Sequence, residues 1–423
     1  MQNQAPKGAE IRCEMTKPKK PYKPVPQKKL AYTVFYYVMR PFLFLRYGYR
    51  RPKELPARYA KEPITVLGNH VSNLDFLFAA VAFYPKRLNF LVSSHFFGQK
   101  PLALILRMMQ CVPKEQFSAD VAAIRDMRSI VSAGGSIGIY PEGEVNGIGM
   151  TGEFPDSIGK LCKLLKAPVY TVRTKGAYLS RPKWGPGNRR GRVETDILCA
   201  ADAEEVKSLS PEELNRRIAA GIFHDEYAWQ EKARIPFSGK NRAENLHYLL
   251  YRCPKCGKEF TTRTEGDEIY CSVCCNRGRM NKLGFLVPTR ERDIIPTSPK
   301  EWIEYQRQAL REAFSDPEYR LTAPCFLQYH IGEKKLRHED VGEGTVTLSR
   351  EGIAYEGTAE GKPFSFRYRL QELYKFPFTA GLHFEIPPAE RTTAIRPKEP
   401  QAVWQFVLAL PILRQMVKEE SEQ

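Results

Sequence analysis

From Pro63 to about residue 225, short apolar runs alternate with segments of helical length, and this alternation restricts the fold more than any other feature of the chain. The runs Ile64–Leu67, Leu88–Val92, Ser136–Tyr140, Val169–Val172 and Val193–Leu198 have strand length and read as strands. Asp75–Phe83, Leu102–Met109, Ala119–Ser132 and Ile158–Leu165 read as the helices between them. Ser118 is the expected N-cap of the third helix and Gly134–Gly135 its stop. Strands this apolar need cover on both faces. The expected fold is therefore an α/β domain, its sheet covered by helices, over roughly residues 55–225.

The flanking segments differ in composition. Residues 1–28 are rich in Lys and Pro and read as a disordered basic tail. Residues 29–54 read as an amphipathic helical segment at a membrane interface, with Tyr, Phe and Leu for the headgroup layer and cations for lipid phosphates. The alternative is a helix that simply caps the next domain. Residues 1–60 carry 14 basic and three acidic side chains, +11 of a formal net charge of +17. That excess favours an anionic partner: a membrane surface, nucleic acid or a phosphorylated substrate. The stretch Leu30–Leu45 is interrupted by Arg40 and Pro41 and falls short of the ~20 apolar residues a span needs. The first 27 residues show no apolar signal-peptide core. The expected placement is peripheral, on the cytoplasmic face of a membrane.

Two motifs carry candidate chemistry. Gly68-Asn69-His70-Val71-Ser72-Asn73-Leu74-Asp75 follows an apolar strand and opens a helix. A carboxylate at Asp75 can reach back to one imidazole nitrogen of His70, fix its tautomer and leave the other nitrogen to accept a proton. Tyr140-Pro141-Glu142-Gly143-Glu144 ends another apolar strand, placing Glu142 at the edge where open α/β sheets bind ligands. Gly143 permits a tight turn there. Either motif alone is weak. Their order and separation on the same kind of strand edge are specific.

On these residues the chain resembles the 1-acylglycerol-3-phosphate acyltransferase family, whose blocks read N-H-x-x-x-x-D and F-P-E-G. Asn69-His70 with Asp75 matches the first block, Tyr140-Pro141-Glu142-Gly143 the second, and Lys166-Ala167-Pro168-Val169 the final one. The resemblance covers roughly residues 30–200. It implies a base, His70, oriented by Asp75, that activates an acceptor hydroxyl for direct attack on the thioester of acyl-CoA or acyl carrier protein, with no cofactor for catalysis. It implies lysophospholipid as acceptor, most simply 1-acylglycerol 3-phosphate, with Asn69, Glu142, Gly143 and Lys114 binding it. Two departures stand out: Glu144-Val145 where the family often has Thr-Arg, and Lys114 as an approximate substitute for a basic residue in a middle block.

Downstream, Cys253-Pro-Lys-Cys256 and Cys271-Ser-Val-Cys274 can give four thiolates to one structural zinc, and residues 251–288 resemble a zinc ribbon. Cys275 is a spare that competes for the fourth position. Cys13, Cys111, Cys162, Cys199 and Cys325 read as small buried hydrophobes. Residues 226–250 read as a linker, 289–323 as a helical linker with Ser298 as N-cap and Pro299 at the first position, and 324–423 as a β-rich domain closed by a helix at Pro400–Lys418. That last domain resembles a pleckstrin-homology or GRAM-like module. The competing functions are acylation of a different lysolipid, a zinc-ribbon protein binding nucleic acid, and a lipid-binding adaptor. The intact His–Asp pair favours an enzyme, for which no nucleic-acid partner is expected.

Overall fold

The structure, a computed structural model, describes residues 22–52, 62–99, 101–115, 120–331, 337–386 and 393–421. The tail expected over residues 1–28 lies mostly outside the described residues, as do Cys13 and Ser118. Among the described residues the strands form three sheets.

The first sheet contains β1 (Thr65–Gly68), β2 (Leu88–Ser93), β3 (Val112–Lys114), β4 (Ser136–Ile139), β5 (Val169–Lys175) and β6 (Glu194–Ala201), in the order β3-β2-β4-β1-β5-β6. All neighbours are parallel except β5 and β6. Successive side chains point to opposite faces, and both faces are covered. Val66, Phe90, Tyr170 and Val172 pack with Tyr32 of helix α1 (Lys29–Tyr47) and Ala79 and Phe83 of α2 (Asp75–Phe83). Further helices are α3 (Leu102–Met108), α4 (Val121–Ser132), α5 (Ser157–Leu165), α6 (Ala177–Ser180), α7 (Ala203–Ser208), α8 (Pro211–Ile222) and α9 (Glu226–Ala233). On the opposite face Leu67 and Val169 meet Leu214, Ile218 and Ile222 of α8, while Ile137 and Ile139 meet Ala123, Met127 and Ile130 of α4. The N-cap of α4 is Asp120, whose carboxylate accepts the Ala123 N–H at 2.9 Å.

Helix α1 carries apolar residues on both its buried and its exposed faces. Tyr32, Tyr36, Leu43 and Tyr47 are buried against the domain, while Leu30, Val34, Tyr37, Val38, Phe44 and Leu45 are exposed. It runs through Pro41, which supplies no N–H to the carbonyl one turn back, and stops at Gly48 in the left-handed region.

The second sheet is the antiparallel ribbon of β7 (Thr262–Glu265), β8 (Glu268–Cys271), β9 (Arg277–Met280) and β10 (Leu286–Pro288). Helix α10 (Pro299–Phe314) follows, with Ser298 accepting the Glu301 N–H at 3.2 Å. The third sheet contains β11 (Leu321–Ile331), β12 (Arg337–Ser349), β13 (Gly352–Ala359), β14 (Lys362–Arg369), β15 (Phe378–Thr379), β16 (His383–Ile386) and β17 (Thr393–Pro397). Its order is β14-β13-β12-β11-β17-β16-β15, and helix α11 (Ala402–Ser421) packs on it.

The stretches expected as linkers are packed. Leu246, Leu249, Leu250 and Tyr251, then Trp302, Leu310 and Phe314 of α10, share one apolar core with Ile269 and Met280 of the ribbon and with Val346, Tyr355, Phe384 and Phe406 of the third sheet and α11. The cause is local. Trp302, Ile303, Gln306, Leu310 and Phe314 recur at helical spacing and form one buried face of α10.

Candidate active site

Strand register brings the two motifs together. In the parallel pair of β1 and β4, Leu67 lies opposite Ile139. Each chain then continues past the sheet edge, so His70 and Glu142 stand at the same level. The His70 N–H donates to Glu142 Oε1 at 2.7 Å.

His70 Nδ1 lies 2.9 Å from Asp75 Oδ2, which also accepts the N–H groups of Val71 at 2.7 Å and Ser72 at 2.8 Å. An oxygen already taking two backbone donors acts as an acceptor, so Nδ1 carries the proton and Nε2 the lone pair. Asp75 is fully buried as the first residue of α2, where the helix dipole favours a carboxylate. Burial pushes its carboxyl above the usual range, and the bonds from His70, Ser72 and Val71 pull it back. The His70 side chain is 22% exposed, so the dyad opens to solvent on the histidine side only. Tyr140 stacks on His70 at 4.9 Å, and Phe90 stacks on Tyr140 in turn. Gly68 makes room for this: a Cβ there would lie 2.7 Å from the Tyr140 ring.

The other expected binding residues divide. Asn69 is buried, and its amide bonds both ways with Thr174 of β5, donating to the carbonyl at 2.9 Å and accepting the N–H at 2.7 Å. It ties the His70 loop to the neighbouring strand, so both ends of the amide are engaged within the protein. Glu142 is 3% exposed, with its oxygens taken by the His70 N–H, the Gly152 N–H at 2.8 Å and Asn146 Nδ2 at 3.4 Å. Burial raises its carboxyl, opposed first by the His70 and Gly152 bonds. Its geometry is that of a staple across the loops. Gly143 is exposed with φ +70°, a backbone that L side chains rarely adopt, at the turn after Glu142. Lys114 ends the edge strand β3, three strand spacings or roughly 14 Å from β1. Its ammonium bonds the Glu115 carbonyl at 2.8 Å. The structure does not bring it to the dyad.

Sequence reasoning missed what Glu144 does. It pairs with Lys183 and lies 3.8 Å from Lys375, and it accepts the Phe378 N–H at 3.2 Å. Phe378 and Trp404 approach the same loop so closely that a Cβ on Gly147 would lie 3.0 Å from the Phe378 ring. The third sheet is therefore seated on the Pro-Glu-Gly loop, and Glu144 is one of the residues that seats it. Lys375 also faces Glu142. Two ammonium groups, Lys183 and Lys375, and three carboxylates, Glu142, Glu144 and Glu385, thus lie together beside the dyad's loops. No local pattern around Lys183 or Lys375 could have shown this.

The four expected thiols converge. Cys253 Sγ lies 3.6 Å from Cys274 Sγ, and Cys256 Sγ lies 3.8 Å from Cys271 Sγ. All four lie within 4.8 Å of one another. Sulfurs at ~2.3 Å from a tetrahedral zinc stand about 3.8 Å apart, so the set fits that ion. The two knuckles are built alike: the Gly257 N–H bonds the Cys253 carbonyl, and the Cys275 N–H bonds the Cys271 carbonyl. Cys275 thus occupies the left-handed turn position that Gly257 fills in the first knuckle. It is exposed and outside the thiol cluster. Of the isolated cysteines, Cys111, Cys162 and Cys325 are buried as expected. Cys199 is exposed, because β6 is an edge strand whose register with β5 shifts near Val169.

Comparison with known proteins bears on the first sheet. Residues 49–175 match the family model described as Acyltransferase, and this stretch contains the His70, Asp75 and Glu142 loops. The α/β part of the chain is acyltransferase-like. No curated protein matches the chain. Among similar solved structures is the 1-acyl-sn-glycerophosphate (LPA) acyltransferase PlsC from Thermotoga maritima. It shares 18% identity over 45% of this chain and 75% of that one, with a TM-score of 0.36.

Proposed function

We propose that the chain is a membrane-surface O-acyltransferase that moves a fatty acyl group from acyl-CoA or acyl carrier protein to the free hydroxyl of a lysophospholipid, most simply 1-acylglycerol 3-phosphate giving phosphatidic acid. The observation that carries this is the His70–Asp75 dyad, set beside the Glu142 loop at the C-terminal edge of parallel strands. His70 Nε2 takes the acceptor's hydroxyl proton as the oxygen attacks the thioester carbonyl. The carbon–sulfur bond breaks, and the proton passes to the departing thiolate. Asp75 holds the tautomer and balances the imidazolium. Glu142 and Asn69 position the His70 loop rather than touch the acceptor. Zinc on Cys253, Cys256, Cys271 and Cys274 is structural, since four thiolates leave no open position for substrate. The deciding experiment incubates purified protein with mixed lysolipids and both thioester donors and identifies the products by mass spectrometry. Absence of any newly acylated lipid overturns the proposal.

Lys375 supplies the cation that Val145 does not. Lys375→Ala should raise KM for a phosphorylated acceptor roughly 10-fold, the worth of one charge-assisted hydrogen bond, with kcat little changed. Lys375→Arg should retain most of the affinity. Steady-state kinetics with phosphorylated and unphosphorylated acceptors reads the difference, and equal loss on both would remove Lys375 from headgroup binding.

No helix among the described residues is long and apolar enough to cross a membrane. The exposed face of α1, with Leu30 at 78%, Tyr37 at 63% and Leu45 at 67%, serves as an interfacial anchor next to Lys28, Lys29 and Arg40. Cations near an anionic bilayer contribute ~1 kcal/mol each and are screened by salt. Vesicle sedimentation should show binding to anionic bilayers that weakens with salt. Deleting α1 would expose the core around Tyr32 and Leu43, so Leu30→Ser with Val38→Ser and Leu45→Ser is the cleaner variant, and it should detach the protein without unfolding it. Binding that is indifferent to both salt and these changes would contradict the anchor.

A further inference from the structure

Four histidines with no recognisable spacing meet in the folded chain. His330 of β11 is paired in register with His338 of β12. His383 opens β16, and Glu385, two residues on, shares its face of the strand. His95 comes from the turn after β2 and reaches across from the acyltransferase-like sheet. Ring centroids are 5.1 Å apart for His95 and His330, 5.5 Å for His330 and His338, and 4.1 Å for His338 and His383.

Within this cluster His338, His383 and Glu385 each offer a ligand atom, and the three atoms lie within 4.8 Å of one another. Glu385 Oε1 is 3.9 Å from His338 Nε2, too far for a hydrogen bond. Ligands held at ~2.0–2.2 Å by one tetrahedral ion stand about 3.4 Å apart, so a small closure brings the pair to bridging distance. The Nε2 atoms of His330 and His338 are buried with no hydrogen-bond partner among the described residues. Buried polar atoms are normally satisfied, and an unmet imidazole lone pair is what a cation uses. The other charges facing Glu385 are Lys183 and Glu144, and these are paired with each other.

We propose that His338, His383 and Glu385 form a second metal site, separate from the four-cysteine centre, that takes a divalent transition ion of the zinc class, with His330 beside the remaining coordination position. Two imidazoles and one carboxylate suit such an ion and not Mg²⁺ or Ca²⁺, which take oxygen ligands. The ligands join β12 to β16, strands with β11 and β17 between them. The contact of His330 with His95 continues the cluster to the α/β sheet. A bound ion would clamp the end of the third sheet that faces the acyltransferase-like domain. This inference is independent of the acyl-transfer reading.

The test uses the full chain, loaded with Zn²⁺, freed of excess by gel filtration and counted by plasma mass spectrometry. A parallel sample is loaded with Co²⁺ and examined by absorption. The parent chain should hold about two ions, one thiolate-bound and one bound by nitrogen and oxygen. His338→Gln and His383→Gln should each lose the nitrogen–oxygen cobalt bands while thiolate-to-cobalt charge transfer persists. Glu385→Gln gives the same test should either histidine variant fail to fold by circular dichroism. A parent chain with only the thiolate signature, or folded variants with an unchanged cobalt spectrum, would overturn the site. The spectra separate this outcome from any failure of the cysteine centre.

Discussion

His70→Ala should lower acyl transfer by about 10²–10⁴-fold, the usual contribution of a positioned general base, and leave the fold intact. The thioester donor is already activated, so the main chemical need is a better nucleophile. The His70 ring lies at the surface of the site with 22% of its side chain exposed, and its removal opens no core cavity. Asp75→Asn separates charge from geometry. An amide oxygen at the place of Oδ2 can still accept from His70, Val71 and Ser72. The amide nitrogen then falls where Oδ1 is buried without a partner. That costs ~1–3 kcal/mol of stability, and the imidazolium loses its counter-charge, so turnover should fall ~10²-fold. The double variant should be little worse than His70→Ala, since residues acting as a unit are not additive. Product formation followed by mass, beside circular dichroism for each variant, decides the matter. If folded His70→Ala keeps the parent rate, the base is elsewhere and the proposed function loses its main support.

The parts of this site that were legible in the sequence are local. His70, Asp75 and the strand between Pro63 and Gly68 lie within a dozen residues, and a strand followed by a helix start fixes how Asp75 returns to His70. Helix Asp75–Phe83 begins and ends where the apolar pattern placed it, and the five expected strands agree within a few residues, whereas the short edge strand β3 was not expected. Asn69, Glu142 and Lys114 show the limit. Motif membership says that a residue lies near the chemistry, but whether its polar atoms face the cleft depends on partners far away in the chain. Thr174 bonds the Asn69 amide, Gly152 and the His70 backbone bond Glu142, and strand order carries Lys114 to the sheet edge. Glu144 and the histidines are harder still. Their partners, Lys375, Phe378, His383 and Glu385, come from the third sheet, and only the antiparallel order of seven strands brings them to the α/β sheet edge.

Loss of the four-thiolate centre should cost more than the ribbon. Closed zinc sites in small finger peptides bind with an apparent ~10–16 kcal/mol at neutral pH, which enters directly as folding energy. Here the ribbon is not free-standing: Tyr251, Ile269, Met280 and Leu286 belong to the same core as Trp302, Phe384 and Trp404. Excising residues 251–288 would strip that core, so the informative variant keeps the chain length. Cys253→Ser with Cys271→Ser removes one thiolate from each knuckle, and Cys253 is fully buried. Even a third of the peptide value, about 4 kcal/mol, lowers the thermal midpoint of a unit of this size by ~8–16 °C. Calorimetry should therefore show the transition of the C-terminal half moving down in the variant, and by a similar amount when a chelator strips the parent chain. Metal analysis should show the cysteine-bound ion gone. The chemical step should survive at temperatures where the variant stays folded, because His70, Asp75 and Glu142 come from β1, α2 and the loop after β4. On the proposed reading Lys375 ties the two effects together, since loosening the third sheet moves its ammonium from the Pro-Glu-Gly loop. Acceptor KM should accordingly rise before kcat falls as the variant is warmed. A metal-free variant with an unchanged midpoint would show that the four thiols are not a structural centre.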